Sequence, residues 1–355
     1  MKILFTTALL LFHGLTARAQ QAELTALLNK HHVTGLQLIY AKNGQAQAYS
    51  LGQRQAGTGQ PVTAKTTFQA ASLGKVVLAY TALRLVDQGR LSLDKPLLTY
   101  YSYPRLLGQP GADRITARQV LTHTAGLPNW AAYPLSPAWK TSVLPLTYAP
   151  DSCWSYSGEG YVFLQRTLEH ITGQSLEALV GQQVFGPLRM SGSSFVWQQR
   201  FAADAAYGHD QAGKPTEIKR FAEPNGGFSL LTTAADYHRF TQALLSGRGL
   251  RPAAARLLTT AASAANRCGQ PATPTDARIA WACGVGLADT SHGPALWHWG
   301  DNGDFRGFFI ALPKTGESLV LLTNSANGLK MIDDVLALFM GPGHYYAMQW
   351  LAEEK

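Results

Sequence analysis

The stretch SLGKVVLAYTALRLVDQG, Ser72 to Gly89, decides how the chain is read. Leu73, Val76, Val77, Tyr80 and Leu83 recur at helical spacing, and Gly89 supplies a natural C-terminal stop. Ser72 therefore opens a helix, where free N–H groups and the helix dipole favour negative charge. Lys75 lies one turn further on and faces back toward the serine hydroxyl. A serine at a helix N-terminus beside a lysine is a pattern for nucleophilic catalysis, in which the base must lie close to the hydroxyl and have a shifted pKa. The pair alone is weak, since about one Ser-x-x-Lys arises by chance in a chain this long. A second copy, Ser92 to Lys95, is followed directly by Pro96, which disfavours helical geometry there.

Outward from this helix, the pattern is helical at 115–124, 160–172, 175–184 and 233–247, with Thr233 and Asp236 resembling an N-terminal cap. Strand character dominates both ends. GLQLIYAKNGQAQAYSLG reads as a hairpin around Asn43-Gly44, so the mature chain is expected to begin with sheet. FRGFFIAL and SLVLLTN flank the turn composition PKTGE, and MIDDVLALFMG closes the chain as a helix. The expected fold class is α/β (α+β): an antiparallel sheet built from both chain ends, flanked by helices, with a largely helical inserted subdomain. The expected division is a sheet subdomain at about 20–70 plus 275–355 and a mainly helical one at about 72–270.

With 355 residues, 46% of them hydrophobic and 15% charged, the chain can bury a large core. Lys2, the apolar run Ile3 to Phe12 and Ala17-Arg18-Ala19 form a signal-peptide pattern, residues 1–19, with a mature start at Gln20; an uncleaved anchor is the alternative. That run is too short to span a bilayer, which takes about 20 residues. The expected location is periplasmic or secreted. Removing Lys2 and Arg18 lowers the formal charge from +8 to +6, and the basic residues are scattered singly. No nucleic-acid groove is expected. A mild positive field suits cell wall or acidic lipid, or is simply a basic solvated surface.

Export implies an oxidising compartment, which makes Cys268 and Cys283 a candidate disulfide and leaves Cys153 free; three unpaired core thiols are the alternative. No Cys-x-x-Cys pair or His spacing suggests a metal, and no Gly-x-Ser-x-Gly pentapeptide marks an α/β-hydrolase.

Several further segments occur in a linked order: FQAASLGK, ITARQVLTHTAGLPNW, WSYSGEGYVFLQRTLEHITGQSL, GGFSLLTTAADYHRFTQALLSG and HWGDNGDFRGFFIALPKTGES. Together they resemble the serine β-lactamase and penicillin-binding superfamily, in its class C β-lactamase-like branch of D,D-peptidases, D-aminopeptidases and esterases. The resemblance runs roughly from Leu36 to Gly341. It implies Ser72 as the acylated nucleophile, Lys75 as its partner and Tyr156 as acylation base and proton donor to the leaving group. Gly158 stands where the family's Tyr-x-Asn element has its asparagine, a departure that bears on substrate recognition; Glu159 beside it has no assigned role. His123 is expected to be a buried, hydrogen-bonded core residue.

The family's third element is Lys-Thr-Gly or His-x-Gly on a strand passing the nucleophile. Lys314-Thr315-Gly316 has the letters but sits in a turn composition, so His298-Trp299-Gly300 takes the role. The implied oxyanion hole is the backbone N–H of Ser72 and of Asp301. The expected activity is hydrolysis of an ester or amide through a Ser72 acyl-enzyme, on a small molecule, a D-amino-acid peptide or cell-wall fragments, with no metal or cofactor implied. A non-hydrolytic wall-binding or penicillin-sensing protein on the same fold is the alternative.

Overall fold

The computed structural model describes residues 18–353. Most of the expected signal segment, residues 1–17, lies outside the described residues.

An eight-stranded antiparallel sheet forms the centre, with strand order β2-β1-β10-β9-β8-β7-β6-β5. Its strands are β1 (Gly35–Lys42), β2 (Gln45–Gly52), β5 (Ser263–Ala264), β6 (Ile279–Trp281), β7 (Gly286–Ala288), β8 (Ala295–Asp301), β9 (Arg306–Leu312) and β10 (Glu317–Thr323). β1 pairs with β10 from Leu36↔Thr323 to Ala41↔Ser318, so the two chain ends do build one sheet. The short strands β3 (Phe68–Ala71) and β4 (Leu230–Thr232) pair separately, with an irregularity between Gln69 and Ala71.

Side chains alternate between the faces of a strand, and both faces of this sheet are covered. Phe309, Ala311, Val320 and Leu322 pack toward the helices Leu73–Asp87 and Ala234–Ser246. Phe308, Ile310, Leu319 and Leu321 pack on the opposite face with Leu24, Leu28, Val335 and Trp350. That double burial explains why β9 and β10 read as nearly unbroken apolar runs. The helix Leu73–Asp87 is buried on nearly every side, from Leu73 through Leu83. It is a central core helix and therefore fixes the position of the Ser72 at its start.

Two expectations are corrected. The described chain begins with a helix over residues 18–30, ahead of the β1–β2 hairpin, because Leu24 and Leu28 bury one face of it against the sheet. The disulfide joins Cys153 to Cys268, with Cα atoms 5.2 Å apart, and leaves Cys283 free and buried. The backbone explains the pairing. Trp154 N–H donates to Asn266 O and Cys268 N–H to Trp154 O, which brings residues 153 and 268 side by side. Cys283 lies instead in the core beside the central helix.

Candidate active site

Ser72 and Lys75 occupy the first turn of the central helix, and the geometry around them is specific. The Ser72 side chain makes no capping hydrogen bond to its own helix. Its hydroxyl is directed elsewhere: Lys75 Nζ donates to Ser72 Oγ at 3.0 Å, and Oγ donates to Gly227 O at 3.2 Å. Lys75 Nζ also donates to Gly227 O, at 2.8 Å, and lies 4.7 Å from the centre of the Tyr156 ring. No carboxylate pairs with this lysine among the described residues, and burial pushes its pKa down to about 7. Desolvation disfavours the charged form, so the neutral amine needed to accept a serine proton becomes accessible near neutral pH.

The surroundings hold this arrangement in place. Gly227 N–H donates to Asn225 Oδ1, and Gly226 N–H to Gln165 Oε1, which keeps the Gly227 carbonyl against Lys75. Immediately before the nucleophile, Ala71 has φ +50°, in the left-handed region that costs a non-glycine residue about 1–3 kcal/mol. Gly300 of β8 abuts the same segment, since a Cβ there would overlap the Ala70 carbonyl oxygen and approach Ala71 Cβ to 3.3 Å. Only glycine lets β8 lie this close, which brings Asp301, the next residue, beside the start of the central helix.

Tyr156 precedes the helix Gly158–Thr172. Its ring lies 4.5 Å from that of His123 and 4.8 Å from that of Trp299, centre to centre. His123 is fully buried: its Nδ1 accepts from Ser157 N–H at 3.1 Å and its carbonyl from Ser155 N–H at 2.7 Å. It braces both sides of Tyr156. The disulfide and the Trp154 bridge to Arg267 anchor the segment just before it.

A cavity of about 410 Å³ opens over the nucleophile. Ser72, Tyr156, Trp299 and Asp301 line it, together with Trp130 and Phe228. Lys219 also reaches the cavity but is held by Asp304 at 2.7 Å and by Asn302 O. His298 is fully buried behind the wall, with its Nδ1–H donating to Trp299 O at 2.7 Å. Burial and the Lys75 charge push the His298 pKa down to about 3, so its ring is neutral in ordinary buffers. Trp299, from the same triplet, faces the cavity, and Gly158 is buried beneath Trp130.

Lys314-Thr315-Gly316 is the exposed turn between β9 and β10 and does not line this cavity. Ser92 and Lys95 are exposed in a loop. Reading the sequence for motifs missed Trp130, Phe228 and the Asn225–Ser229 loop; the only signal for Trp130 was the missing side chain at Gly158. Among the described residues no group of three or more His, Cys, Asp or Glu is placed to hold a metal.

The fold and the cleft place the protein in the class of β-lactamase and penicillin-binding folds. The beta-lactamase family model matches residues 20–337, and the chain belongs to that family. It is 28% identical to penicillin-binding protein 4 of Amycolatopsis lactamdurans over 90% of this chain and 88% of that one. It is 27% identical to the esterase EstB of Burkholderia gladioli over 84% of this chain and 88% of that one. A class C beta-lactamase structure superposes with a TM-score of 0.76 at 19% identity, covering 96% of this chain and 97% of the other, which shows the fold. Relatives in this family are serine hydrolases.

Proposed function

We propose that the protein is an exported serine hydrolase that cleaves esters through a Ser72 acyl-enzyme. The observation that carries this reading is the 3.0 Å contact between Lys75 Nζ and Ser72 Oγ, made by a buried lysine with its pKa lowered to about 7 behind a serine that lines an open cavity. Neutral Lys75, assisted by Tyr156, accepts the hydroxyl proton as Ser72 Oγ attacks the ester carbonyl. The Ser72 and Asp301 N–H groups hold the oxyanion. The proton passes through Tyr156 to the departing alkoxide as the C–O bond breaks, and water then releases the carboxylic acid and restores Ser72. The apolar run at residues 3–12, the Ala17-Arg18-Ala19 site and the Cys153–Cys268 disulfide support export to an oxidising compartment.

Ester is favoured over D-peptide by the character of the walls. A peptide with a free C-terminus needs a cation for its carboxylate, but Lys219 is paired with Asp304, and Arg306 is paired with Asp301 at 2.5 Å. The rest of the cavity is largely aromatic. Purified protein is expected to hydrolyse a chromogenic short-chain ester and to leave a D-Ala-D-Ala peptide intact. Turnover of the peptide alone would overturn the ester assignment, and the absence of both turnover and a fluorophosphonate adduct would favour a non-hydrolytic binding protein.

A further inference from the structure

The acyl side of the cleft is built around Trp130, and the construction depends on two glycines. A Cβ placed on Gly158 would fall 2.5 Å from Trp130 Cη2 and 2.7 Å from Cε2, and one on Gly227 would fall 2.9 Å from Cη2. The indole therefore occupies the volume that any side chain at position 158 would need. It is also pinned from both sides. Asn129 accepts from Gly158 N–H through Oδ1 at 3.0 Å and from Glu159 N–H through its carbonyl at 3.0 Å. On the other side, Ala131 N–H donates to Glu159 Oε1 at 3.0 Å.

Glu159 is fully buried. Its carboxylate also accepts from Trp139 Nε1–H at 2.7 Å and from Arg105 at 2.6 and 3.0 Å. A buried carboxylate is tolerated when its charge is paired and its lone pairs are satisfied. This one joins the start of the helix that follows Tyr156 to the loop carrying Trp130. Of the four N-terminal N–H groups that every helix leaves open, those of Gly158 and Glu159 fasten that loop here, and that of Gly160 is capped by Ser157 Oγ.

The direction of the substrate follows from the proposed chemistry. With the carbonyl oxygen between the Ser72 and Asp301 N–H groups and the leaving group toward Tyr156, the acyl group lies along Trp130 and Phe228. These two rings meet edge to face at 5.6 Å. Beyond them a second cavity of about 480 Å³ opens, and Leu135, Phe221 and Phe228 line both spaces. The acyl side thus offers an apolar strip of Trp130, Leu135, Phe221 and Phe228, flanked by Asn129 and, further out, by Lys140, Arg166 and Glu223, and no amide donor at position 158.

Resting on the ester-hydrolase reading, we propose that Trp130, seated on Gly158 and Gly227 and fastened by Glu159, is the acyl-specificity determinant of this site. It selects esters of aromatic or extended apolar acids and excludes a requirement for an acylamino group. Glu159 is its positioning residue.

The test compares wild type, Trp130→Ala, Gly158→Asn and the double variant on p-nitrophenyl acetate, phenylacetate and N-phenylacetylglycinate, with a melting temperature for each. Wild type should favour phenylacetate over the acylamino ester. Trp130→Ala should lower the phenylacetate-to-acetate ratio of kcat/KM by about tenfold or more, the scale on which apolar pocket contacts discriminate. Gly158→Asn alone should melt several degrees lower because it overpacks the indole. Adding Trp130→Ala should recover that loss and raise the acylamino-to-phenylacetate ratio above that of either single variant. If Gly158→Asn cannot be obtained folded, recovery of soluble protein in the double variant is the equivalent result. An unmoved phenylacetate-to-acetate ratio in Trp130→Ala, or a Gly158→Asn protein as stable as wild type, overturns the assignment. Wild-type protein that turns over no ester overturns the hydrolase reading and the selector role with it; ester turnover with an unmoved ratio overturns the selector role alone.

Discussion

The cleft has two walls that differ in how they are made. On one, Ser72 and Lys75 are joined within a single helical turn, and the centre of the Tyr156 ring lies 4.7 Å from the lysine amine. On the other, Trp130 and Phe228 replace polar recognition with aromatic surface, and their placement depends on contacts between segments far apart in sequence. The difference separates two jobs. The first wall shifts the pKa of one amine by burial, which is independent of what the substrate carries. The second decides which acyl groups reach the Ser72 hydroxyl.

The largest effect that could break this comparison is expected at Lys75. Lys75→Met should lower acylation by about 10²–10⁴-fold, the usual contribution of a general base. In wild type, kcat/KM should rise with pH as Lys75 loses its proton and level off above about pH 7; the variant should lose that inflection. The stability change has a definite sign. Lys75 ordinarily titrates at 10.5 but is lowered in the folded protein, so between about pH 7 and 10.5 the unfolded chain binds more protons. Stability should therefore rise with pH across that window, and denaturant midpoints of Lys75→Met should lack this slope.

His298→Ala ranks next. The ring is fully buried with its centre 6.1 Å from that of Tyr156 and 5.7 Å from that of Trp281, so its loss leaves a void behind the catalytic wall. A fall of about 10- to 100-fold, mainly in kcat, is expected, as for displacement of a reacting group by about 1 Å. A change confined to KM would mean that His298 contacts substrate instead.

Cys153→Ser should act chiefly on stability. The bridge closes a separation of 115 residues, which corresponds to about 5 kcal/mol in the chain-entropy account. The melting temperature should fall by roughly 10 °C, read by calorimetry without reductant. Cys283→Ser should not reproduce that fall, because Cys283 is unpaired. The smallest effect is expected at Lys314→Ala, less than about twofold on ester turnover, because Lys314 sits in an exposed hairpin turn.

What could be read from sequence follows the same division. The central helix, the hairpin around Asn43-Gly44 and the Ser72–Lys75 pair were legible because their signals are local: helical spacing, turn chemistry and one-turn separation. The turn location of Lys314-Thr315-Gly316 was legible from Pro313 and the flanking apolar runs. The Cys153–Cys268 pairing was not, since it depends on the bridge between Trp154 and Arg267. The helix over 18–30 carries Leu24, Leu27 and Leu28 at helical spacing, but that short pattern yields to the stronger Asn43-Gly44 hairpin signal, which predicts a mature chain that begins with sheet. His298 was read for its chemistry, and strand alternation turned Trp299 toward the cavity instead. Gly158 registered as a missing side chain; only the packing shows that Trp130 takes the vacated volume.

Intact-protein mass spectrometry after exposure to a fluorophosphonate at several pH values, followed by peptide mapping, tests the central claim most directly. One adduct on Ser72, forming faster as pH rises through about 7 and slowed by Lys75→Met, is the predicted result. An adduct on another residue, or labelling of Ser72 at the same rate in Lys75→Met, would contradict the account.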